Sequence, residues 1–85
     1  MEPWKLVLDE QIFHFFASSR SSERRKLLKS FEELRGNPQR EADYFTADAT
    51  GRKLSVWAER PFLITFWLDA FVSEVRIVNV QRVRL

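Results

Sequence analysis

The residues of this chain best suited to bind anions are arginines and lysines gathered in three short segments. Residues 20–29 contain five basic side chains and one acid, and residues 75–85 contain three arginines and no acid. A third, shorter segment is Arg52-Lys53, directly after Gly51. Because guanidinium and ammonium groups bind phosphate and displace its counterions, these segments are the candidate anion-binding parts of the chain.

In the first segment the basic side chains are predicted to lie on the outer face of a helix, where they could contact RNA or an acidic segment of a partner. A solvated helix surface is the alternative, because Lys29 and Glu33 form an i,i+4 pair of opposite charge. Next to Gly51, Arg52 could present its guanidinium to phosphate, or Gly51 could simply permit a turn. The residues assigned to nucleic-acid binding are Arg25, Lys29, Arg76 and Arg84.

Composition excludes several classes of function. The 85 residues carry 14 Lys/Arg and 12 Asp/Glu, a net charge of +2, with no cysteine and one histidine. A lone histidine without cysteines cannot build a zinc site or a disulfide scaffold, so we expect no metal and no cofactor. His14 is interpreted as a surface residue. Acids at the strand ends, such as Asp48 and Asp69, are expected to bind backbone, which argues against a paired-carboxylate hydrolase.

The length fits one domain, residues 1–85, with a single core built largely from its eight Phe and three Trp. No apolar run approaches the roughly 18 residues of a membrane span, and no basic segment followed by an apolar one opens the chain. We therefore expect no membrane contact and a cytoplasmic location.

Two helices are predicted in the first half of the chain to position the first basic segment. Asp9 is a candidate N-cap for the first helix, which ends at Ser18-Ser19. Ser21 or Ser22 is the candidate cap of the second, and Gly36 in a left-handed conformation, followed by Asn37-Pro38, ends it. Its predicted buried stripe consists of Leu27, Leu28, Phe31 and Leu34.

The strands precede and follow these helices. Residues 4–8 alternate as a short strand, and residues 43–47 could be extended. After a turn at residues 48–51, three strands are predicted: from Arg52 or Lys53 to Ala58, from Phe62 to Asp69, and from Glu74 to Val83. In the last strand, alternation places Arg76, Val78, Val80 and Arg82 on one face. The predicted fold is α+β, ordered β-α-α-β-β-β, with two N-terminal helices packed on one face of a small, mostly antiparallel sheet.

Surplus aromatic residues indicate a contact surface. If Phe62 and Ile64 face the helices, then Trp57, Leu63 and Trp67 share the opposite face of the sheet. Such side chains either stack nucleobases or bury against another protein chain, and Leu63 favours a protein contact, either with a partner or with a second copy of this chain. The alternative is a covering segment of the chain itself, such as Trp4 or the Tyr44-Phe45 stretch.

Four features of the chain are similar to those of one known family. They are the element order, the helix end at Gly36-Asn37-Pro38, the DATGRKL segment at residues 48–54, and the aromatic strand FLITFWLD at residues 62–69 followed by Glu74-Val75-Arg76-Ile77. In these features the chain resembles the RelE/ParE toxin superfamily. The resemblance covers nearly the whole chain. It implies a small bacterial toxin that is held silent by a cognate antitoxin. RelE-like members cut mRNA in the ribosome, whereas ParE-like members inhibit DNA gyrase without catalysing a reaction.

The resemblance to RelE-like nucleases implies catalytic roles for Arg52, Lys53 and Arg82. Metal-free RNA cleavage needs a base, an acid and cations that stabilise the phosphate in the transition state. Arg52 and Lys53 stand near the basic positions of the family's second strand, and Arg82 stands near that of its last strand.

Two departures from the RelE pattern keep other functions open. Leu63 stands where active members carry an arginine, and the sequence offers no terminal tyrosine or histidine as the acid. A ParE-like gyrase inhibitor and an inactive, toxin-derived binding module are therefore the alternatives. The expected partners are an antitoxin and either the ribosome with its mRNA or DNA gyrase, and a homodimer is also considered.

Overall fold

The elements follow the order β-α-α-β-β-β-β in the computed structural model, which describes residues 4–83. Their bounds are β1 Lys5–Leu8, α1 Glu10–Ser18, α2 Ser21–Gly36, β2 Tyr44–Ala47, β3 Lys53–Glu59, β4 Phe62–Asp69 and β5 Glu74–Arg82. The predicted α+β fold is confirmed. The stretch at residues 43–47, which the sequence left open, contributes the additional strand β2.

The five strands form one mixed sheet in the order β1-β5-β4-β3-β2. Strands β2 to β5 pair antiparallel with their neighbours, whereas β1 pairs parallel with β5 at the other edge. The parallel pairing brings the end of β1 against β5, where the backbone N–H of Asp9 donates to the carbonyl of Ile77 at 3.2 Å. The start of α1 is thereby fixed next to the middle of the last strand.

The core lies between the two helices and one face of the sheet, called here the helix face. Leu27, Phe31 and Leu34 of α2 are fully buried there, and they belong to one cluster with Phe62 and Ile64 of β4. Truncating residues buried this deeply typically costs about 2–5 kcal/mol of stability. Leu28, which was predicted to join this stripe, is instead 51% exposed, at the border of a groove that Leu6 and Leu8 of β1 also line.

The helix ends differ from the sequence predictions in two places. α2 begins at Ser21 with Arg20 in the N-cap position, and the Glu23 carboxylate accepts a hydrogen bond from the Arg20 backbone N–H at 3.0 Å. Neither Ser21 nor Ser22 is therefore the cap. Gly36 is the last helical residue, and among glycines only Gly51 has a positive φ, so the predicted left-handed stop at Gly36 is wrong.

An extra residue interrupts β5 and decides which way its arginines face. Thr65 pairs with Asn79 and the next residue, Phe66, pairs with Ile77, so Val78 has no partner in β4. Such a bulge resets the alternation of a strand. Arg82 consequently shares the helix face with Ile77, and Arg76 lies on the opposite, open face. The prediction that Arg76 and Arg82 share one face is wrong for this reason.

Trp57 is also placed differently from its prediction. It pairs with Ile64, on the helix face, and is only 3% exposed within the core cluster. The Arg40 guanidinium covers its ring, with 3.8 Å between the guanidinium carbon and the ring centroid. Trp57 is therefore a core residue, and its predicted role in binding a partner through the open face is wrong.

Candidate functional site

The three residues implied to be catalytic do not come together in the structure. Arg52 lies just before β3 and reaches the open face, where its guanidinium carbon is 4.0 Å from the centroid of the Trp67 ring. Lys53, the next residue, points to the other side, and its Nζ lies 3.9 Å from the centroid of the Phe45 ring. Arg82 pairs with Phe62, at the opposite end of β4 from Trp67. Residues 62 and 67 are about 17 Å apart along a strand, so Arg82 and Arg52 cannot act on one phosphate.

Arg82 is held by the junction between α1 and α2. Its Nε donates to Glu23 Oε2 at 2.7 Å and its Nη2 donates to Ser19 Oγ at 3.0 Å, while its guanidinium lies 4.5 Å from the centroid of the Phe15 ring. The hydrogen bond from Arg82, together with that from the Arg20 backbone, lowers the pKa of Glu23 from 4.5 to about 2. Arg82 therefore fastens the end of β5 to the helices.

The open face carries a different group of cations, which we call the Arg52–Trp67–Arg76 cluster. Trp67 of β4 is half-buried, and the guanidinium carbons of Arg52 and Arg76 lie 4.0 and 5.5 Å from its ring centroid. Guanidinium groups are attracted to the negatively charged face of an indole. The cluster thus fixes two arginines against a single aromatic ring.

The loop between β2 and β3 holds Arg52 in position. Asp48 Oδ1 accepts hydrogen bonds from the backbone N–H groups of Thr50 and Arg52, both at 2.9 Å, and from the Thr50 hydroxyl at 2.6 Å. These hydrogen bonds lower the pKa of Asp48, and the bond from the Thr50 hydroxyl contributes most. Gly51 completes the loop with a φ of 85°, a conformation that glycine adopts without strain. The carboxylate of Asp48 thus stays ionised beside Arg52.

The charge of the second arginine is offset by its neighbours. Arg76 Nη2 donates to Glu74 Oε1 at 2.7 Å, and Arg76 Nε lies 3.9 Å from Asp69 Oδ2. Arg76 Nε is buried and has no hydrogen-bond partner among residues 4–83. By contrast, Arg52 forms no ion pair within 4.0 Å with any carboxylate of the described residues. Arg52 is accordingly the cation of the cluster best placed to meet an external anion.

These residues line a cleft of about 360 Å³ in the open face. Its lining consists of Asp9, Asp48, Arg52, Leu54, Trp67, Arg76 and Val78. The sequence indicated Arg52, Trp67 and Arg76 separately but not Asp9 or Asp48 as site residues. Asp48 could have been found from its position in the loop before Arg52. Asp9 could not, because only the parallel pairing of β1 with β5 brings it to the cleft.

The other predicted nucleic-acid residues lie outside this cleft. Arg25 and Lys29 are exposed on α2, where they line a shallow depression that Glu33 and Glu59 also border. Acids and bases alternate on this surface, which is consistent with the solvated helix considered above. Arg84 lies outside the described residues.

Of the residues predicted to bind a partner, Leu63 and Trp67 do lie on the open face. Leu63 pairs with Ala58 and Gln81 and is half-buried beside a small apolar cleft of about 220 Å³. A separate apolar groove on the helix side contains the exposed Phe13 of α1 and Leu28 of α2. It lies against the edge strand β1, and its lining consists of Leu6, Leu8, Phe13, Phe16, Leu28 and Phe31.

The described part of the chain offers neither a metal-ligand cluster nor a membrane-spanning helix. Residues 4–83 contain no group of three or more His, Cys, Asp or Glu side chains arranged to hold a metal ion. None of the helices found there is long and apolar enough to cross a bilayer. His14, the one histidine, is exposed on α1 with its Nε2 3.7 Å from Glu10 Oε1, and it does not line the cleft.

Comparison with known proteins identifies the class of fold. No family model matches the chain, and no curated protein matches its sequence. Its structure is similar to that of one chain in the crystal structure of the archaeal RelE–RelB complex from Pyrococcus horikoshii OT3, with a TM-score of 0.74 at 11% sequence identity. The match covers 95% of this chain and 96% of the other. The RelE-like fold predicted from the element order and the central strand is therefore confirmed, and at this identity the likeness concerns the fold.

Proposed function

We propose that this chain is the toxin of a two-component toxin–antitoxin pair and that the open face of its sheet is the working surface. The observation that carries the proposal is the similarity of nearly the whole chain to one chain of the archaeal RelE–RelB complex. Fold alone does not define activity, so the target has to be argued from the residues of the open face.

The favoured target is RNA, in the manner of ribosome-dependent mRNA interferases. Arg52 supports this, because it carries its charge on the open face without an ion-paired carboxylate and is stacked on Trp67. Arginine beside an aromatic ring is a common arrangement for contacting single-stranded nucleic acid. Lys53 and Arg82 lie away from Arg52, so we assign the phosphate contact to Arg52 and withdraw Arg82 from the catalytic set.

A non-enzymatic ParE-like inhibitor of DNA gyrase is the second candidate. The lack of an evident acid–base pair in the cleft supports this candidate. General acid–base catalysis is most efficient when the pKa of the group lies near the working pH. Asp48 has a lowered pKa, and Glu74 and Asp69 face Arg76. No histidine is among the described residues that line the cleft, so an acid–base pair is not evident there.

An antitoxin is the proposed partner, and the apolar groove containing Phe13 and Leu28 is the surface we assign to it. Exposed apolar side chains that share a groove are typical of protein contacts. Residues 20–29, which begin α2 beside this groove, carry a charge of +4 (five basic residues minus one acid). Two copies would bring these charges together, so an acidic segment of another protein fits better than a homodimer. Since mRNA, ribosome and gyrase are cytoplasmic, so is the proposed location.

Inducible expression of the chain alone tests the proposal. Wild-type protein is expected to arrest bacterial growth, and Arg52→Ala is expected to relieve the arrest because it removes the unpaired cation of the cleft. Arg60→Ala is the matched control, since Arg60 is also an exposed arginine in a turn but lies outside the cleft. Growth curves should be read together with the level of each protein.

Two further measurements separate the branches. Primer extension on cellular mRNA should show new cuts during arrest if the RNA branch holds, whereas intact mRNA with inhibited supercoiling by purified gyrase would support the ParE-like branch. Normal growth on expression of well-folded wild-type protein would contradict a toxin and favour an inactive binding module.

A further inference from the structure

The charges of the cleft do not suit a phosphate-rich ligand. Its lining contains two guanidiniums, from Arg52 and Arg76, and two carboxylates, from Asp9 and Asp48. Arg76 is in addition ion-paired with Glu74. A free phosphate monoester would meet as many negative as positive groups, so the occupant should be largely neutral, with at most one anionic link near Arg52.

The shape and surface of the cleft suit a flat aromatic group. Its apolar lining comes from Leu54, Trp67 and Val78, and its volume of about 360 Å³ falls within the ordinary range for small ligands. The Arg52 guanidinium lies over the Trp67 ring and is itself exposed, so its outer side is open to a second planar group. Unpaired nucleobases stack on arginine planes as well as on aromatic rings.

Two carboxylates of the cleft offer hydrogen-bond acceptors beside its guanidinium donors. The Asp48 carboxylate uses Oδ1 for three hydrogen bonds within its loop, and none of the hydrogen bonds of the described residues involves its Oδ2. Asp9 occupies the N-cap position of α1 without a side-chain cap hydrogen bond.

We propose that the cleft holds a single unpaired nucleobase that carries an exocyclic amino group, stacked on Arg52 and read by the carboxylates of Asp9 and Asp48. Adenine, cytosine and guanine have such an amino donor, whereas uracil presents a carbonyl acceptor at the corresponding position of its base-pairing edge. A carboxylate accepts from the amino group and repels the carbonyl. The inference rests on the proposed RNA-binding function and adds a base preference to it.

Binding of short fluorescein-labelled homopolymers of adenylate, cytidylate and uridylate, measured by anisotropy at one salt concentration, tests the proposal. Full-length wild-type protein is expected to bind the adenylate and cytidylate strands about fivefold or more tightly than the uridylate strand, as one discriminating hydrogen bond would give. Asp9→Asn with Asp48→Asn should remove or reverse this ratio, because an amide can donate to uracil. Asparagine also retains an acceptor for the loop bonds of Asp48 and suits an N-cap, so the fold is kept.

The matched control is Glu33→Gln with Glu41→Gln, which removes two exposed carboxylates outside the cleft. Both double variants should raise affinity for every strand, since each loses two negative charges, but only the cleft variant should change the ratio between strands. Arg52→Ala is expected to weaken binding of all three strands about tenfold.

Three outcomes overturn the inference. Equal wild-type affinity for all three strands, with Arg52→Ala still weakening them, would refute the base preference and leave RNA binding intact. A ratio unchanged by the two asparagine substitutions would refute the role of the carboxylates. Absence of binding to any strand would refute the inference, whereas primer extension on cellular mRNA decides the RNA branch separately.

Discussion

Two arginines of this chain illustrate how neighbouring groups decide what a residue can do. Arg82 donates to Glu23 and Ser19 on the helix face, so its charge is used inside the fold. Arg52 rests on Trp67 on the open face and has no ion-paired carboxylate among residues 4–83. The sequence makes the two look equivalent, and only their surroundings show that Arg82 is held inside the fold whereas Arg52 is exposed and not ion-paired within residues 4–83.

The Glu23–Arg82 pair predicts acid sensitivity. The pKa of Glu23 falls from 4.5 to about 2 in the folded chain, so its ionised form is favoured by folding. A lowered pKa stabilises the fold above the unfolded value, and this stabilisation is lost as pH falls from about 4.5 towards about 2. Urea unfolding of Glu23→Gln across this range should show a shallower decline in the free energy of unfolding than wild-type protein shows.

Glu33→Gln is the control for this experiment, because Glu33 is an exposed carboxylate on the same helix and none of the ion pairs within residues 4–83 involves it. Some acid sensitivity should remain in Glu23→Gln, since the pKa values of Glu32 and Asp48 are lowered too. A decline in Glu23→Gln as steep as that of wild-type protein would contradict the role of the pair.

Trp57 and Trp67 show how far the sequence could predict which face of the sheet a side chain occupies. Trp67 was correctly expected on the open face, but Trp57 lies in the core. The alternation of β3 places Leu54 and Val56 on one side and Trp57 with Ser55 on the other, but alternation alone does not say which side meets the helices. Pairing of Trp57 with Ile64 settles the question, and that register arises from contacts between strands.

At the scale of elements, one inserted residue has the largest effect. Val78 is the extra residue of β5, and it separates an outward-facing Arg76 from an inward-facing Arg82. Alternation could not reveal it, because the segment Val75 to Val80 places aliphatic residues on both faces, so no apolar residue appears out of phase. In a strand with apolar residues on one face only, the extra residue would have shifted the apolar positions and could have been detected from the sequence.

The two glycines of the chain should respond oppositely to alanine. Gly51→Ala is expected to lower the free energy of unfolding by about 1 kcal/mol, because its φ of 85° is unfavourable for a residue with a Cβ. Gly36→Ala is expected to raise it by up to about 0.5 kcal/mol, because the residue is helical and no atom lies within 4 Å of the added Cβ. Urea unfolding measures both changes. If Gly36→Ala were less stable than wild-type protein, that result would support a left-handed conformation of Gly36 and contradict the helical one described here.

For the whole molecule, the sequence predicted more of the fold than of the site. Both helices, the three long strands and the α+β class follow from periodicity and turn residues, which are local signals. The parallel pairing of β1 with β5 joins residues far apart in the chain, so no local pattern announces it. That pairing brings Asp9 to the cleft, which is why this part of its acidic lining could not be predicted from local patterns.

The net charge of +2 does not indicate what the chain binds, because several of its charges are offset by neighbours in the folded molecule. Basic side chains of α2 face outward beside acids such as Glu33, while Arg82 is neutralised by Glu23. On the open face, Arg76 is offset by Glu74 and Arg52 remains available. Function therefore depends on which charges are left unpaired, a property of the folded chain.

Strand β2 has a further consequence for the behaviour of the chain in solution. It pairs only with β3, all four of its residues are exposed, and its sequence Tyr-Phe-Thr-Ala contains neither a charge nor a proline. Natural edge strands usually carry such residues because a bare edge recruits further strands. Concentrated protein without a partner should therefore self-associate through β2, and Thr46→Lys should lower the light scattering and raise the solubility limit. Lys53→Thr, which changes a charge on the inner neighbour strand, should not improve either quantity.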